Sequence, residues 1–312
     1  MTRTRKTNRK RNLPGLLCFA GLTFVIGVIF YFFIANVVPF STAGLEQEYE
    51  SPSHAIGYES LQRAEPGEVS FDFELTPVNV VDVENTGYMV LVNRYYYLSS
   101  EPNSSLLLSA WPTVPVSVVD GMYLHPSALA AVARMLDSAR NNGIGSFFVT
   151  SGFRSFYHQN TLYNSGMDRA FVLPPGHSEH HTGLAADIQA VGVSMWELAN
   201  SPQGQWLAAN SYRYGLILRY PEGSEHITGV AFEPWHFRYV GVIHAHYIHR
   251  NGLVLEEYIE RLQLLGHISF EKGGTQYHIL HQIPQNGMIY LPDGLEFSVS
   301  SDNAGGYIIK AW

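Results

Sequence analysis

Ser178-Glu-His-His-Thr-Gly-Leu-Ala-Ala-Asp187 and Glu233-Pro-Trp-His-Phe-Arg-Tyr-Val-Gly241 are the two stretches on which the reading of this chain turns. From Leu184 onward, Leu184, Ala186 and Ile188 alternate with Ala185, Asp187 and Gln189, the period of a half-buried strand with Asp187 on its polar side. Gly183 lets the backbone approach a neighbour closely just upstream. In the second stretch Pro234 pushes Glu233 into an extended conformation. Glu233 and His236 therefore belong on a turn or strand, not on one helix face as in H-E-x-x-H proteases. Histidine is unusually frequent, with 14 in the chain and three of them at His177, His180 and His181. Hydrolysis at a metal needs three nitrogen or oxygen ligands, one open position for water, and a carboxylate to take the water's proton. One of the three clustered histidines, with Asp187 and His236, supplies such a ligand set, and Glu233 supplies the base. The spacing alone leaves the choice among His177, His180 and His181 open.

Working outward, Pro126 opens a helix with Leu129, Val132, Leu136 and Ala139 on one face, ended by Gly143. Tyr88–Val92 and Ser146–Thr150 read as strands, and a helix spans Phe156 to about Tyr163. Ser194 and Glu197 form a capping box, and Ser201-Pro202 opens a further helix that stops by Gly215. Strands at Leu216–Tyr220 and Val230–Val240 bracket a Pro221-Glu222-Gly223 turn, and a helix around Leu255–Ile259 closes the unit. His244, His246 and His249 read as surface positions of a terminal helix. The irregular alternation, without a Gly-rich phosphate loop, indicates an α+β fold. Residues 263–312, punctuated by Gly273-Gly274, Asn286-Gly287, Asp293-Gly294 and Gly305-Gly306, read as a small antiparallel β unit appended to the main domain.

Arg154 lies between a predicted strand and the following helix, where a cation and free N–H groups make an anion site for a terminal carboxylate or an oxyanion. Arg219 and Arg238 compete for that role, and Trp235 forms a wall by its place between Glu233 and His236.

The amino terminus places the rest. Arg3, Arg5, Lys6, Arg9, Lys10 and Arg11 precede an uncharged run from Leu13 to Val38, long enough for a transmembrane helix. Residues 1–12 then read as a cytoplasmic tail, 13–38 as a single membrane span, 39–87 as stalk and linker, and 88–262 as the main domain, outside the membrane. A cleaved signal with Ser41-Thr42-Ala43 is the competing reading, and it also exports the chain. Beyond residue 40 there are 13 basic against 27 acidic residues, a net of −14, which disfavours nucleic acid as a partner. The only cysteine, Cys18, precedes that region, so cysteine-rich zinc sites, disulfides and a thiol nucleophile are excluded there.

The segments Ser151-Gly-Phe-Arg-Ser155 with Gln159, Ser178–Asp187, Tyr214–Tyr220 and Glu233–Gly241 together resemble the VanY-type D-alanyl-D-alanine carboxypeptidases, zinc peptidases of cell-wall peptides. The resemblance covers about residues 88–262. It implies a fold shared with the Hedgehog-like domain, an antiparallel sheet flanked by helices. It selects His180, with Asp187 and His236, as ligands of one zinc ion, and makes Glu233 the catalytic base. It assigns Arg154 to substrate or oxyanion, places Gln159 and Ser178 along the peptide groove, and makes His181 a bystander. The implied activity is removal of the C-terminal D-alanine from peptidoglycan stem peptides or their lipid-linked precursor. L,D-carboxypeptidase or endopeptidase activity on the same scaffold, or a zinc-stabilised wall-binding module without turnover, are the alternatives.

Overall fold

A computed structural model describes residues 72–117 and 121–312. The expected cytoplasmic tail, the span at 13–38 and most of the stalk lie outside the described residues. Among the described residues no helix is long and apolar enough to cross a membrane.

In chain order the elements are β1 (Leu75–Asn79), β2 (Leu108–Ser109), β3 (Tyr123–Leu124), α1 (Pro126–Asn141), β4 (Phe147–Ser151), α2 (Phe156–Tyr163), β5 (Ala185–Ala190), α3 (Pro202–Asn210), β6 (Leu216–Leu218), α4 (Glu225–Thr228), β7 (His236–Tyr239), α5 (Val242–Asn251), α6 (Leu255–Leu265), β8 (His267–Lys272), β9 (Thr275–Gln282), β10 (Met288–Pro292), β11 (Phe297–Ser301) and β12 (Tyr307–Ala311). Short 3₁₀ turns intervene, notably at Glu179–Thr182, Met195–Asn200 and Ser211–Tyr214.

The sheet that matters for chemistry has the order β4-β5-β7-β6, antiparallel throughout. Its inner face carries Val149, Ala186, Ile188, Leu216 and Phe237, packed with Leu129, Val132, Met135 and Leu136 of α1 and Leu207 of α3 in one core. Helix α1 begins where the sequence places it, with Pro126 in its first turn and His125 Nδ1 accepting the Ser127 amide. The box at Ser194 caps a 3₁₀ turn rather than an α-helix, its hydroxyl accepting the Glu197 amide and donating to the Glu197 carboxylate.

Three expectations need correction. Tyr88–Val92 forms no strand, although Met89, Leu91 and Val92 are buried. Its carbonyls at Tyr88 and Val90 accept from the buried Arg238 guanidinium at 3.0 and 2.9 Å, so a side chain replaces the neighbouring strand. The Val230–Val240 strand shrinks to His236–Tyr239, because Pro234 lacks a donor and residues 231–235 are irregular. His244 is not on the surface; it is buried on α5 and its Nδ1 lies 2.8 Å from the Tyr258 hydroxyl.

Residues 263–312 do build an antiparallel sheet, in the order β11-β12-β9-β8. They share a core with the helices before them: Ile268, Ile279 and Ile308 pack with Ile248, Leu255, Tyr258, Ile259 and Leu262. On the other side, β1 pairs with β10, which draws residues 75–79 of the expected stalk into the folded body.

Arg238 ties β7 to residues 88–90 and to Glu179. We expect Arg238→Met to lower stability by roughly 3 kcal/mol, since it removes one of the two guanidiniums paired with buried Glu179 and leaves two half-buried carbonyls without that donor. Urea unfolding of the purified protein measures it; a loss under about 1 kcal/mol would show that the guanidinium does not hold residues 88–90 in place.

Candidate metal centre

Strand register builds the centre. Asp187 on β5 stands opposite His236 on β7 and opposite Ser151 on β4. Opposed residues share a face, so Asp187 and His236 project to the side away from Ile188 and Phe237. The 3₁₀ turn Glu179–Thr182 lies over that face and delivers His180. Gly183 ends the turn with φ +69, and a Cβ there would meet Leu107 at 2.6 Å. Only glycine fits both that conformation and that contact.

His180 Nε2 lies 3.4 Å from Asp187 Oδ2, and His236 Nδ1 lies 3.0 Å from Asp187 Oδ1. One donor atom from each of the three residues falls within 4.8 Å of the others. Tetrahedral coordination at about 2.0–2.2 Å puts donors roughly 3.3–3.5 Å apart, so these residues need little movement to close on an ion. The other ring nitrogens are engaged. His180 Nδ1 is 2.7 Å from the Gly152 carbonyl, and His236 Nε2 is 3.4 Å from Glu179 Oε2. An N–H on each of those atoms leaves the lone pairs of His180 Nε2 and His236 Nδ1 facing Asp187. The donor set thus fits a divalent metal ion.

The neighbouring histidines are occupied elsewhere. His181 accepts the Gly176 amide at Nε2 and donates from Nδ1 to the Arg154 carbonyl, at 3.0 and 2.6 Å. His177 Nδ1 bonds the Asn93 carbonyl at 2.9 Å, with its ring stacked on Tyr97.

These ligands line a cleft of about 520 Å³ together with Arg154, Gln159, Ser178, Tyr220, Glu233 and Trp235. Glu233 Oε2 is 3.6 Å from His236 Nδ1. Burial, reinforced by Asp187 and opposed by His236 and Arg154, pushes the Glu233 carboxyl up to about 8. Arg154 Nη1 donates to Gln159 Oε1 at 2.8 Å and Nη2 to Ser151 Oγ at 3.0 Å. Gln159 in turn donates to the Leu173 carbonyl at 2.6 Å, which makes it a brace for the cation. The remaining guanidinium N–H groups are available to a carboxylate or oxyanion. Ser178 makes no side-chain cap bond to the turn it opens, which leaves its hydroxyl for the cleft.

Arg219 and Arg238 do not reach the cleft; both are fully buried behind it, salt-bridged to Glu179. Three features escaped the sequence reading. Glu179 is completely buried, and although desolvation opposes it, Arg219 and Arg238 hold its carboxyl far below the usual range. Tyr220 packs its ring 4.9 Å from that of His236. Trp196, largely exposed, stands edge-on to Trp235 at 5.2 Å and extends the aromatic wall with Phe171. The one available signal was that two arginines on buried strands require a buried acid.

A D-alanyl-D-alanine carboxypeptidase family model, VanY, matches residues 121–242. The chain is 36% identical over 188 residues to the bifunctional D-Ala-D-Ala dipeptidase and D-Ala-D-Ala carboxypeptidase VanXYC of Enterococcus gallinarum, covering 55% of this chain and 93% of that protein. The chain belongs to the VanY family. It is also 35% identical over 192 residues to a D-alanyl-D-alanine carboxypeptidase of Enterococcus faecium, covering 61% of this chain and 62% of that relative, slightly less than two thirds of its length. The crystal structure of the vancomycin-resistance D,D-dipeptidase VanXYg, bound to a D-Ala-D-Ala phosphinate analogue, matches with a TM-score of 0.64 at 24% identity over 77% of this chain and 99% of that one, which establishes a shared fold. All four motif segments quoted above fall inside the VanY match.

Without a metal, burial lowers the His236 imidazole, but hydrogen bonds to Asp187 and Glu179 outweigh it and raise the group to about 9. A metal must displace that proton. We therefore expect divalent-metal affinity to rise from pH 6 to about pH 9, with proton release at neutral pH. Calorimetry in two buffers of different ionisation enthalpy measures this; pH-independent binding would contradict the ligand assignment of His236.

Proposed function

We propose that this chain is a membrane-anchored zinc carboxypeptidase that removes the C-terminal D-alanine from peptidoglycan stem peptides ending in D-Ala-D-Ala. The observation that carries the reading is the convergence of His180, Asp187 and His236 in a cleft that also presents a raised carboxyl at Glu233 and a braced cation at Arg154. Two imidazoles and one carboxylate with a side open to a cleft are the ligand chemistry of catalytic zinc, whereas structural zinc sites close all four positions.

Zinc held there supplies Lewis acidity and lowers the pKa of a water toward ~7. Glu233 takes the proton from the attacking water and returns it to the departing D-alanine nitrogen. Burial and Asp187 lift its carboxyl to about 8 against His236 and Arg154, and a cation in the ligand set would oppose that lift further. Arg154 grips the terminal carboxylate or the oxygen that gains charge as the carbonyl is attacked. Gln159 and Ser151 fix the guanidinium, so it meets that charge without reorganising. Trp235 and Trp196 wall the cleft on the apolar side.

Anchoring is supported by residues 13–38, which carry no charge, behind six basic residues without an acid. That arrangement leaves the amino terminus in the cytoplasm and the cleft outside, beside the wall peptides and their lipid-linked precursor.

Glu233→Gln should keep zinc and lower D-alanine release from a pentapeptide stem by at least ~10²-fold. Mass spectrometry of products from pentapeptide and tetrapeptide stems reads both rate and specificity. Undiminished release by the variant would remove Glu233 from the chemistry, and release from the tetrapeptide alone would make the enzyme an L,D-carboxypeptidase.

A further inference from the structure

Glu179 immediately precedes the ligand His180, yet its side chain serves the other histidine. It is fully buried, so both oxygens must be satisfied by the protein. Oε1 accepts from Arg219 Nε and from Arg238 Nη1, each at 2.8 Å. Oε2 faces one donor, His236 Nε2, at 3.4 Å. We propose that Glu179 is a positioning residue of the metal centre: it holds the proton of His236 on Nε2 and thereby turns the Nδ1 lone pair to the ligand set. This rests on the metal reading above.

Charge pairing alone does not account for the arrangement. Arg219 is already met by both oxygens of Glu256 on α6, and Arg238 donates from Nη2 to the Tyr88 and Val90 carbonyls and from Nε to the Tyr239 carbonyl. Both guanidiniums use the same oxygen of Glu179, which leaves the second oxygen to the imidazole. The carboxylate cannot rotate away, because two charged donors from β7 and the residue after β6 fix its plane. Outer carboxylates of this kind orient a ligating imidazole and select its tautomer.

Glu179→Gln is nearly isosteric and tests the idea sharply. The amide oxygen must face the two guanidiniums, since an NH₂ there would oppose two cations. The NH₂ then faces His236 Nε2, which can only accept from it, and the proton moves to Nδ1, where it blocks the metal. The measurement is zinc affinity of the full-length folded protein by competition with a chromophoric chelator, together with the visible spectrum of the cobalt(II)-loaded form. The expected result is a 10–100-fold weaker zinc affinity with an altered cobalt spectrum. A purely structural role lowers the melting temperature of the metal-free protein and leaves both readouts of the folded fraction unchanged, which overturns the proposal. Should the variant not fold, ¹⁵N spectra of the zinc-loaded wild type decide: a proton on Nε2 and metal on Nδ1 of His236 sustain it, and metal on Nε2 overturns it. Wild-type zinc binding and D-alanine release are measured in parallel. Failure of the wild type to bind zinc sinks the functional reading and this inference together, whereas a zinc-loaded, active wild type with an unaffected variant sinks this inference alone.

Discussion

The register between β5 and β7 is the constraint on which the centre depends. Asp187 faces His236, and the next pair along is Ala186 with Phe237. Side chains alternate between faces, so these two pairs point to opposite sides of the sheet. Ala186, Ile188 and Phe237 enter the core against α1, and Asp187 and His236 are thereby committed to the cleft. A slip of one residue would put Phe237 opposite Asp187 and bury an imidazole among leucines. Apolar packing on one face therefore sets the distance between two ligands on the other. The position of α1, which touches no ligand, matters to the chemistry through that core.

Burying this much charge is tolerable because it balances in two separate groups. Behind the ligands, Glu179 and Glu256 offset Arg219 and Arg238. In the cleft, the Asp187 carboxylate stands against the positive charge of Arg154, and burial raises the Glu233 carboxyl to about 8. Without metal, hydrogen bonds to Asp187 and Glu179 hold a proton on His236. A divalent ion among the same atoms takes the place of that proton. Burial opposes a charge on the His236 ring, and the carboxylates around it are what favour a cation in the site.

Local signals made much of the scaffold legible. Pro126 after a capping histidine started α1, and Ser155, which accepts the His158 amide, started α2 where the periodicity placed it. The failures share one cause, long-range partners. Tyr88–Val92 has the composition of a strand, but its partner is the Arg238 side chain rather than a backbone. His244 looked polar enough for the surface, and only the Tyr258 hydroxyl, fourteen residues on, shows why it is inside. Glu179 sat in plain view within a quoted motif, yet nothing local to it announces two arginines 40 and 59 residues away. For the ligands, Asp187 and His236 could be read from strand parity and chemistry. Choosing His180 over its neighbours needed the family resemblance, because spacing treats the three histidines alike.

The structure supplies a physical reason for that choice, and it reaches beyond the metal. His181 has both nitrogens engaged, and His177 is turned to Asn93 and Tyr97. Only His180 keeps a nitrogen toward Asp187. Consecutive residues of one turn thus hold consecutive parts of the segment beside β4: His180 Nδ1 grips the Gly152 carbonyl, and His181 Nδ1 grips the Arg154 carbonyl. The His180 carbonyl completes the clamp by accepting the Arg154 amide at 3.1 Å. The Arg154 cation, proposed above to meet substrate charge, is therefore fixed to the same turn that carries the candidate ligand His180. Catalysis at a carbonyl needs those two positive centres at a set separation. Here that separation is written into hydrogen bonds of a four-residue turn, so His181, which touches neither metal nor cleft, helps to position Arg154 relative to the ligand set.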